Sequence, residues 1–460
     1  MAKRGKIRAF LPVCQDPRQP QDIPRGMEMA KKFGLEILSH DRSELSACHC
    51  RLPPVIFGIM SLIYLRTVRA LPIALTLFAA ANFSHAQEPK AAKTFIDYFQ
   101  PMPITSPLTT NVWGAATVGP RDTQNGLEDV TMKQWDYWDG KIIKGADGKY
   151  HLFGSRWEQA RGHNGWGNSK AVHAVSDKLF GPYVDQGLCW PDSEGGKGHN
   201  VTALQLADGR YAIVISETRP GTVYVSKSLD GPWELLGKIS VANNPKWRAS
   251  NEIILLRPDG NYEMFGRSGV VLISTNGVLG PYLAHGPDIY PHIAGMPQNE
   301  LRHLEDPVLW FSGGLYHITV NNWSDRKAYH LTSTNGIDGW TYLGLAYDPT
   351  VNFVRYTDGT VNRWPKLERP GVYIEDGHVA AVTLAVIDVE KEAEHGNDGH
   401  GSKIIVIPFD GAALDRDLEK TSKYSGARVA VCKDHPARAG DGEKIRGGNS
   451  CHCPAREQGL

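Results

Sequence analysis

The sequence predicts an all-β protein, a five-bladed β-propeller of four-stranded antiparallel sheets, on three observations. A unit recurs five times: a polar or acidic residue, a short apolar run, a turn with Gly, and a second run, which reads as a β-hairpin. The turn aromatics Tyr150, Tyr211, Tyr262 and Tyr316 lie about 50 to 60 residues apart, the period at which repeated sheets form propellers. A closing signature keeps the same period: Phe180-Gly181-Pro182-Tyr183, Asp230-Gly231-Pro232-Trp233, Leu279-Gly280-Pro281-Tyr282 and Asp338-Gly339-Trp340. Blades set around an axis leave only short, protected sheet edges.

The first unit is Trp138-Asp139-Gly140-Lys141-Ile142-Ile143 with Tyr150-His151-Leu152-Phe153. The second is His199-Asn200-Val201-Thr202-Ala203-Leu204 with Tyr211-Ala212-Ile213. Ser250-Asn251-Glu252-Ile253-Ile254-Leu255 with Tyr262-Glu263-Met264-Phe265 forms the third. The fourth runs from Leu301 through Glu305-Asp306-Pro307-Val308-Leu309-Trp310 to Tyr316-His317-Ile318, and the fifth from Leu367-Glu368-Arg369-Pro370 to His378-Val379.

Length alone does not count domains, because a propeller spends roughly 250 residues on one. The chain has 460 residues and a formal net charge of zero, with no basic stripe, which argues against nucleic acid as a partner. Twelve Trp and 17 Tyr in a Gly-rich chain fit an all-β protein that handles flat, amphipathic ligands such as sugars.

Residues 1–86 read as a leader with a signal peptide. Arg66 to Ala70 is a basic n-region, Leu71 to Ala81 an apolar h-region, and Ser84-His85-Ala86 a small-residue cleavage site. This implies a secreted or periplasmic protein that has no membrane contact once the signal is removed. Residues 87–130 read as an N-terminal wrap that covers the outside or supplies a lip of the site, 131–416 as the propeller, and 417–460 as a disordered tail. Cys451-His452-Cys453 invites a zinc reading but has no second ligand pair at a suitable spacing. Cys189 is the one cysteine in the propeller, so no disulfide staples the core. Arg161 to Gly167 is expected to be a flexible loop that shapes a pocket, and Asp388 to Gly401 a solvated charged turn.

The chemistry should sit where the innermost strands begin, since those ends converge on the axis. Aligning the units puts Asp139, Asn200, Asn251, Asp306 and Arg369 in one ring, with Trp138, His199, Ser250, Glu305 and Glu368 one residue earlier. Carboxylates gathered near an axis are costly unless they bind or react with something.

The unit pattern, the Asp heading blade one, the Glu-Asp-Pro heading blade four and the Gly-Pro-aromatic closures together resemble the five-bladed propeller glycoside hydrolases of families 43, 32 and 117, over roughly Val130 to Asp410. The resemblance implies an exported glycosidase of carbohydrate metabolism, exo-acting on plant or algal oligosaccharides or polysaccharides and inverting, with Asp139 as base and Glu305 as acid. Glycoside cleavage needs such a pair, one carboxyl kept protonated and one ionised. The sequence departs from the family at blade three, where Ser250-Asn251-Glu252 stands in place of an Asp; Glu252 is the candidate replacement. Asp136 is the rival to Asp139 as base.

Substrate binding is expected from His199, Asn200, Asn251, Arg302, His303, Asp306, Trp323, Glu368 and Arg369. Trp135, Trp138, Trp247 and Trp364 could add stacking surfaces, and Arg248 and Arg326 further cationic groups. No cofactor is required. A structural calcium on the axis, held with help from His151, His317 and Asp306, is the one metal the resemblance admits. A non-catalytic carbohydrate-binding propeller is the alternative reading.

Overall fold

The computed structural model describes residues 93–244 and 246–420. The expected signal segment and the Cys-X-Cys tail lie outside these residues.

Five antiparallel sheets follow one another along the chain. Blade I comprises β1 (Trp135–Lys144), β2 (Tyr150–Glu158), β3 (Lys170–Ser176) and β4 (Val184–Leu188). Blade II comprises β5 (His199–Gln205), β6 (Tyr211–Glu217), β7 (Thr222–Ser226) and β8 (Glu234–Lys238). Blade III is shorter: β9 (Ile253–Leu256), β10 (Tyr262–Phe265), β11 (Leu272–Ser274) and β12 (Leu283–Ala284). In blade IV the strands are β13 (Leu304–Ser312), β14 (Leu315–Asn322), β15 (Lys327–Ser333) and β16 (Thr341–Tyr347). Blade V has three: β17 (Lys366–Glu375), β18 (His378–Ile387) and β19 (Ser402–Pro408).

Burial explains the sequence pattern within a blade. Strands such as β14 and β18 are buried almost throughout, and β18 accordingly reads as a nearly continuous apolar run. The outermost strands are only partly covered, leaving Val184, Leu235 and Leu283 exposed. Gly313-Gly314 joins β13 to β14 with both residues at positive φ (+55° and +81°), as a two-residue turn matched to strand twist requires.

The fifth sheet departs from the expected four strands, and the N-terminal segment makes up the difference. Leu127 exchanges backbone hydrogen bonds with Ile404 (2.9 and 3.0 Å), and the Asn125 side chain serves both backbone groups of Val406. These contacts satisfy backbone groups that an open sheet edge would leave unpaired. Phe95 and Phe99 pack on Phe409, joining this segment to the core between blades IV and V. Behind it Glu128 accepts from Arg121 (2.5 Å) and Lys403 (3.0 Å), a buried ion cluster.

The helix Gly411–Lys420 buries Leu414 and Asp415 and runs across the boundary expected at residue 416. Cys189 is a free, buried thiol.

Candidate functional site

The five ring residues are equivalent in backbone conformation. Asp139, Asn200, Asn251, Asp306 and Arg369 have φ of +70°, +54°, +53°, +51° and +48°. Left-handed backbone is uncommon outside glycine, with Asp and Asn tolerating it best, and its recurrence once per blade places all five at the same kink. The inner-strand registers of β1, β13 and β17 are interrupted at this point. Each kink turns the residue before it toward one mouth of the propeller.

At that mouth lies a cavity of about 270 Å³, walled by Trp138, His163, Trp166, His199, Asn200, Glu217, Ser250, Asn251, Arg267, Glu305, Asp306, Glu368 and Lys391. A wider groove of about 610 Å³ adjoins it, carrying Trp323, Ser324, Arg326, Lys366, Glu390 and Glu392. Arg267, Glu305, Glu368 and Lys391 line both, so Glu305 stands at the junction.

The electrostatics of the junction set two glutamates apart. Burial, with the Asp306 and Glu368 carboxylates nearby, pushes Glu305 up to about 8, against the opposing pull of Lys391 and Arg267; the latter lies 3.2 Å from Oε2. Burial and the neighbouring carboxylates thus bias Glu305 toward its protonated form. Glu368 is more deeply buried, and burial alone would raise it, but two ammonium groups converge on it. Lys366 lies 2.7 Å from Oε1 and Lys391 pairs with Oε2, holding Glu368 ionised at about 2.

Beneath the cavity the ring closes on Arg369. Its Nε donates to Asp139 Oδ1 (3.0 Å) and its NH1 to Asp306 Oδ1 (2.8 Å), which also accepts from Asn251 Nδ2 (2.6 Å). Asp139 Oδ2 accepts from Ser155 Oγ and from the Val201 backbone (2.9 Å). Both oxygens of Asp139 are thus occupied, and it faces the narrow axial channel with Glu252 and Arg369 rather than the cavity wall.

Of the expected catalytic residues, Glu305 alone reaches the cavity. Glu252 lies in the channel; burial raises it to about 8, one oxygen accepts from the Ser250 backbone, and the other has no hydrogen-bond partner among the described residues. Asp136 belongs to neither space. It is buried against blade V, where Oδ1 accepts from Ser402 N (2.8 Å), and burial raises it to about 7.

Of the expected binding residues, His199, Asn200, Asn251, Asp306 and Glu368 join Glu305 on the cavity wall, and Trp323 lies in the groove. Arg302 is exposed and donates to His303, whose ring meets Trp323 edge-on at 4.7 Å; neither lines the cavity or the groove. Among the expected stacking rings, Trp138 is in the wall, while Trp364 is buried against Trp113. The three residues expected around an axial calcium do not converge. His151 sits in β2 against His173, His317 in β14 against His330, and Asp306 on the axis.

Five wall residues come from outside the two rings that the sequence aligns. His163 and Trp166 come from the segment expected to be a flexible loop, which forms two 3₁₀ turns, Gln159–Arg161 and His163–Asn168. His163 packs edge-on to Trp138 (5.1 Å), and Trp166 lies over His199 (5.0 Å). Lys391 comes from the segment expected to be a solvated turn. Its partner Glu368 draws it over the Trp138 ring (5.3 Å). Glu217 ends β6 directly opposite His199, so hairpin register would have revealed it. Arg267 follows β10 and has no comparable signal.

No family model and no curated protein matches the sequence. Among solved structures the chain is similar to a family 117 glycoside hydrolase produced by the marine bacterium Zobellia galactanivorans, at 13% identity over 63% of this chain and 89% of that one, TM-score 0.43. It is similar to a family 43 β-xylosidase/α-arabinofuranosidase from a compost microbial metagenome, at 13% identity over 67% and 95%, TM-score 0.43. An exo-β-1,3-galactanase of Clostridium thermocellum shares 12% identity over 59% of this chain and 58% of its own, TM-score 0.41. Likeness at this level assigns no residue a role.

Proposed function

We propose that this chain is an exported, exo-acting glycoside hydrolase that cleaves oligosaccharides by inversion, with Glu305 as the general acid. The observation that carries the reading is the position of Glu305 where cavity and groove meet, because the oxygen to be protonated lies between the sugar that is released and the remainder. Its elevated pKa supplies the proton at neutral pH. Trp138 and Trp166 offer apolar faces to a sugar ring in the cavity, while Asn200 Oδ1, buried there without a partner among the described residues, offers an acceptor for a hydroxyl.

The activating base is one of two carboxylates. Asp139 heads blade one but is held by Arg369, Ser155 and Val201. Glu217 stands on the cavity wall, accepts from Ser250 Oγ (2.8 Å), and is raised by burial, which strengthens it as a base. The geometry favours Glu217.

The second reading, a carbohydrate-binding propeller without catalysis, draws on the occupied Asp139 and on Asn251 in place of an acid. A screen of aryl glycosides and plant or algal oligosaccharides, run with the parent and Glu305→Gln, separates them. Release of monosaccharide by the parent, lost in the variant, supports hydrolysis. Glycan binding without release by either supports the second reading. Azide rescue of Glu217→Ala or of Asp139→Ala, yielding a glycosyl azide, identifies the base.

A further inference from the structure

Away from the cavity, near the turn that joins β1 to β2, blades I and II bring three potential metal ligands together. His151 lies near the start of β2 and His173 within β3, both buried, with Nδ1 of His151 2.9 Å from Nε2 of His173. Asp230, in the turn between β7 and β8, places Oδ1 3.8 Å from the same His151 Nδ1, and its side chain is 69% exposed. These three donor atoms lie within 4.8 Å of one another. Ligand atoms around tetrahedral Zn²⁺ at about 2.0–2.1 Å stand roughly 3.3 Å apart, a value the observed separations bracket.

The surroundings follow the logic of a metal site. The far nitrogen of His151, Nε2, faces Asp147 Oδ1 at 3.4 Å. A carboxylate on the non-ligating nitrogen fixes the tautomer that leaves Nδ1 free to ligate. The exposure of Asp230 leaves room for a water as fourth ligand.

Blade IV provides an internal comparison. His317 Nδ1 and His330 Nε2 meet at 3.0 Å in the same relative positions, but both rings are fully buried. Asp415 approaches His317 from the other nitrogen, Nε2, at 4.0 Å. Among the described residues no carboxylate completes a three-donor group there. The paired imidazoles are common to blades I and IV; among the described residues only the blade I pair is met by a converging carboxylate, Asp230 of blade II.

We propose that His151, His173 and Asp230 form a zinc-class divalent cation site that ties blade I to blade II, with Asp147 as the positioning carboxylate of His151. The site is independent of the glycosidase reading.

The test uses the full chain, freed of metal by chelation and titrated with Zn²⁺ in a calorimeter, with thermal unfolding followed in parallel. One zinc per chain is expected, together with a rise of Tm. Asp230→Ala, a surface change that should not impair folding, is expected to weaken zinc binding more than tenfold. His173→Gln should abolish it, and His330→Gln should leave it intact. Cys451→Ser/Cys453→Ser should likewise leave it intact. No saturable zinc binding, or binding kept in Asp230→Ala and lost in the double cysteine variant, overturns the proposal and leaves the two rings sharing a proton.

Discussion

Arg369 of blade V donates from Nε to Asp139 Oδ1 of blade I at 3.0 Å, and its other arm reaches Asp306 of blade IV at 2.8 Å. One buried guanidinium thus holds three blades at the axis, directly under the cavity. The two carboxylates keep Arg369 firmly charged despite burial. Breaking a buried pair by removing one partner leaves an uncompensated charge and costs about 3–5 kcal/mol. Arg369→Met is expected to lower unfolding free energy by that amount in urea titrations, and Asp139→Asn/Arg369→Met to recover part of it.

Glu305→Gln removes the proposed proton donor. We expect kcat/KM to fall roughly 10²- to 10⁴-fold on substrates with poor leaving groups, and much less on activated aryl glycosides, which need little protonation. A uniform loss on both would remove Glu305 from that role.

The pH–rate profile carries a signed expectation. An acid must be protonated, so activity should decline as pH rises through about 8. Lys391 depresses the pKa of Glu305 and Glu368 raises it. Hence Lys391→Met should move the alkaline limb to higher pH and Glu368→Gln to lower pH. Shifts in the same direction would show that the limb belongs to another group.

Glu252 tests linkage between charge and stability. Burial raises its folded pKa to about 8 from an ordinary 4.5, so the folded state binds more protons than the unfolded chain between those values. Its contribution to stability is present below pH 4.5 and is lost as pH rises toward 8. Glu252→Gln, which cannot ionise, should therefore gain stability relative to the parent between pH 5 and pH 9, measured as the difference in urea midpoints. An unchanged difference across that range would mean that Glu252 is ionised in the fold.

Trp166 is 39% exposed over His199 at the rim of the cavity, where stacking would hold substrate and transition state alike. Trp166→Ala should raise KM about tenfold, or ~1.4 kcal/mol, with kcat little altered.

The sequence by itself determined the propeller. Tyr150, Tyr211, Tyr262 and Tyr316 near the start of four second strands, and Gly-Pro-aromatic at three closures, are local requirements of one hairpin geometry, so they repeat where the geometry repeats. The ring of Asp139, Asn200, Asn251, Asp306 and Arg369 was legible for the same reason, since each residue occupies one backbone kink. Tertiary structure alone decided which of them face the cavity. Asp139 heads blade one as expected, yet its carboxylate turns inward because Arg369, 230 positions away, offers a buried charge partner. Lys391 looked like part of a solvated turn until Glu368 drew it over Trp138. Ionic partners such as Asp139 and Arg369, half the chain apart, leave no periodic trace, because their pairing depends on where blades I and V meet and not on the order of residues within either.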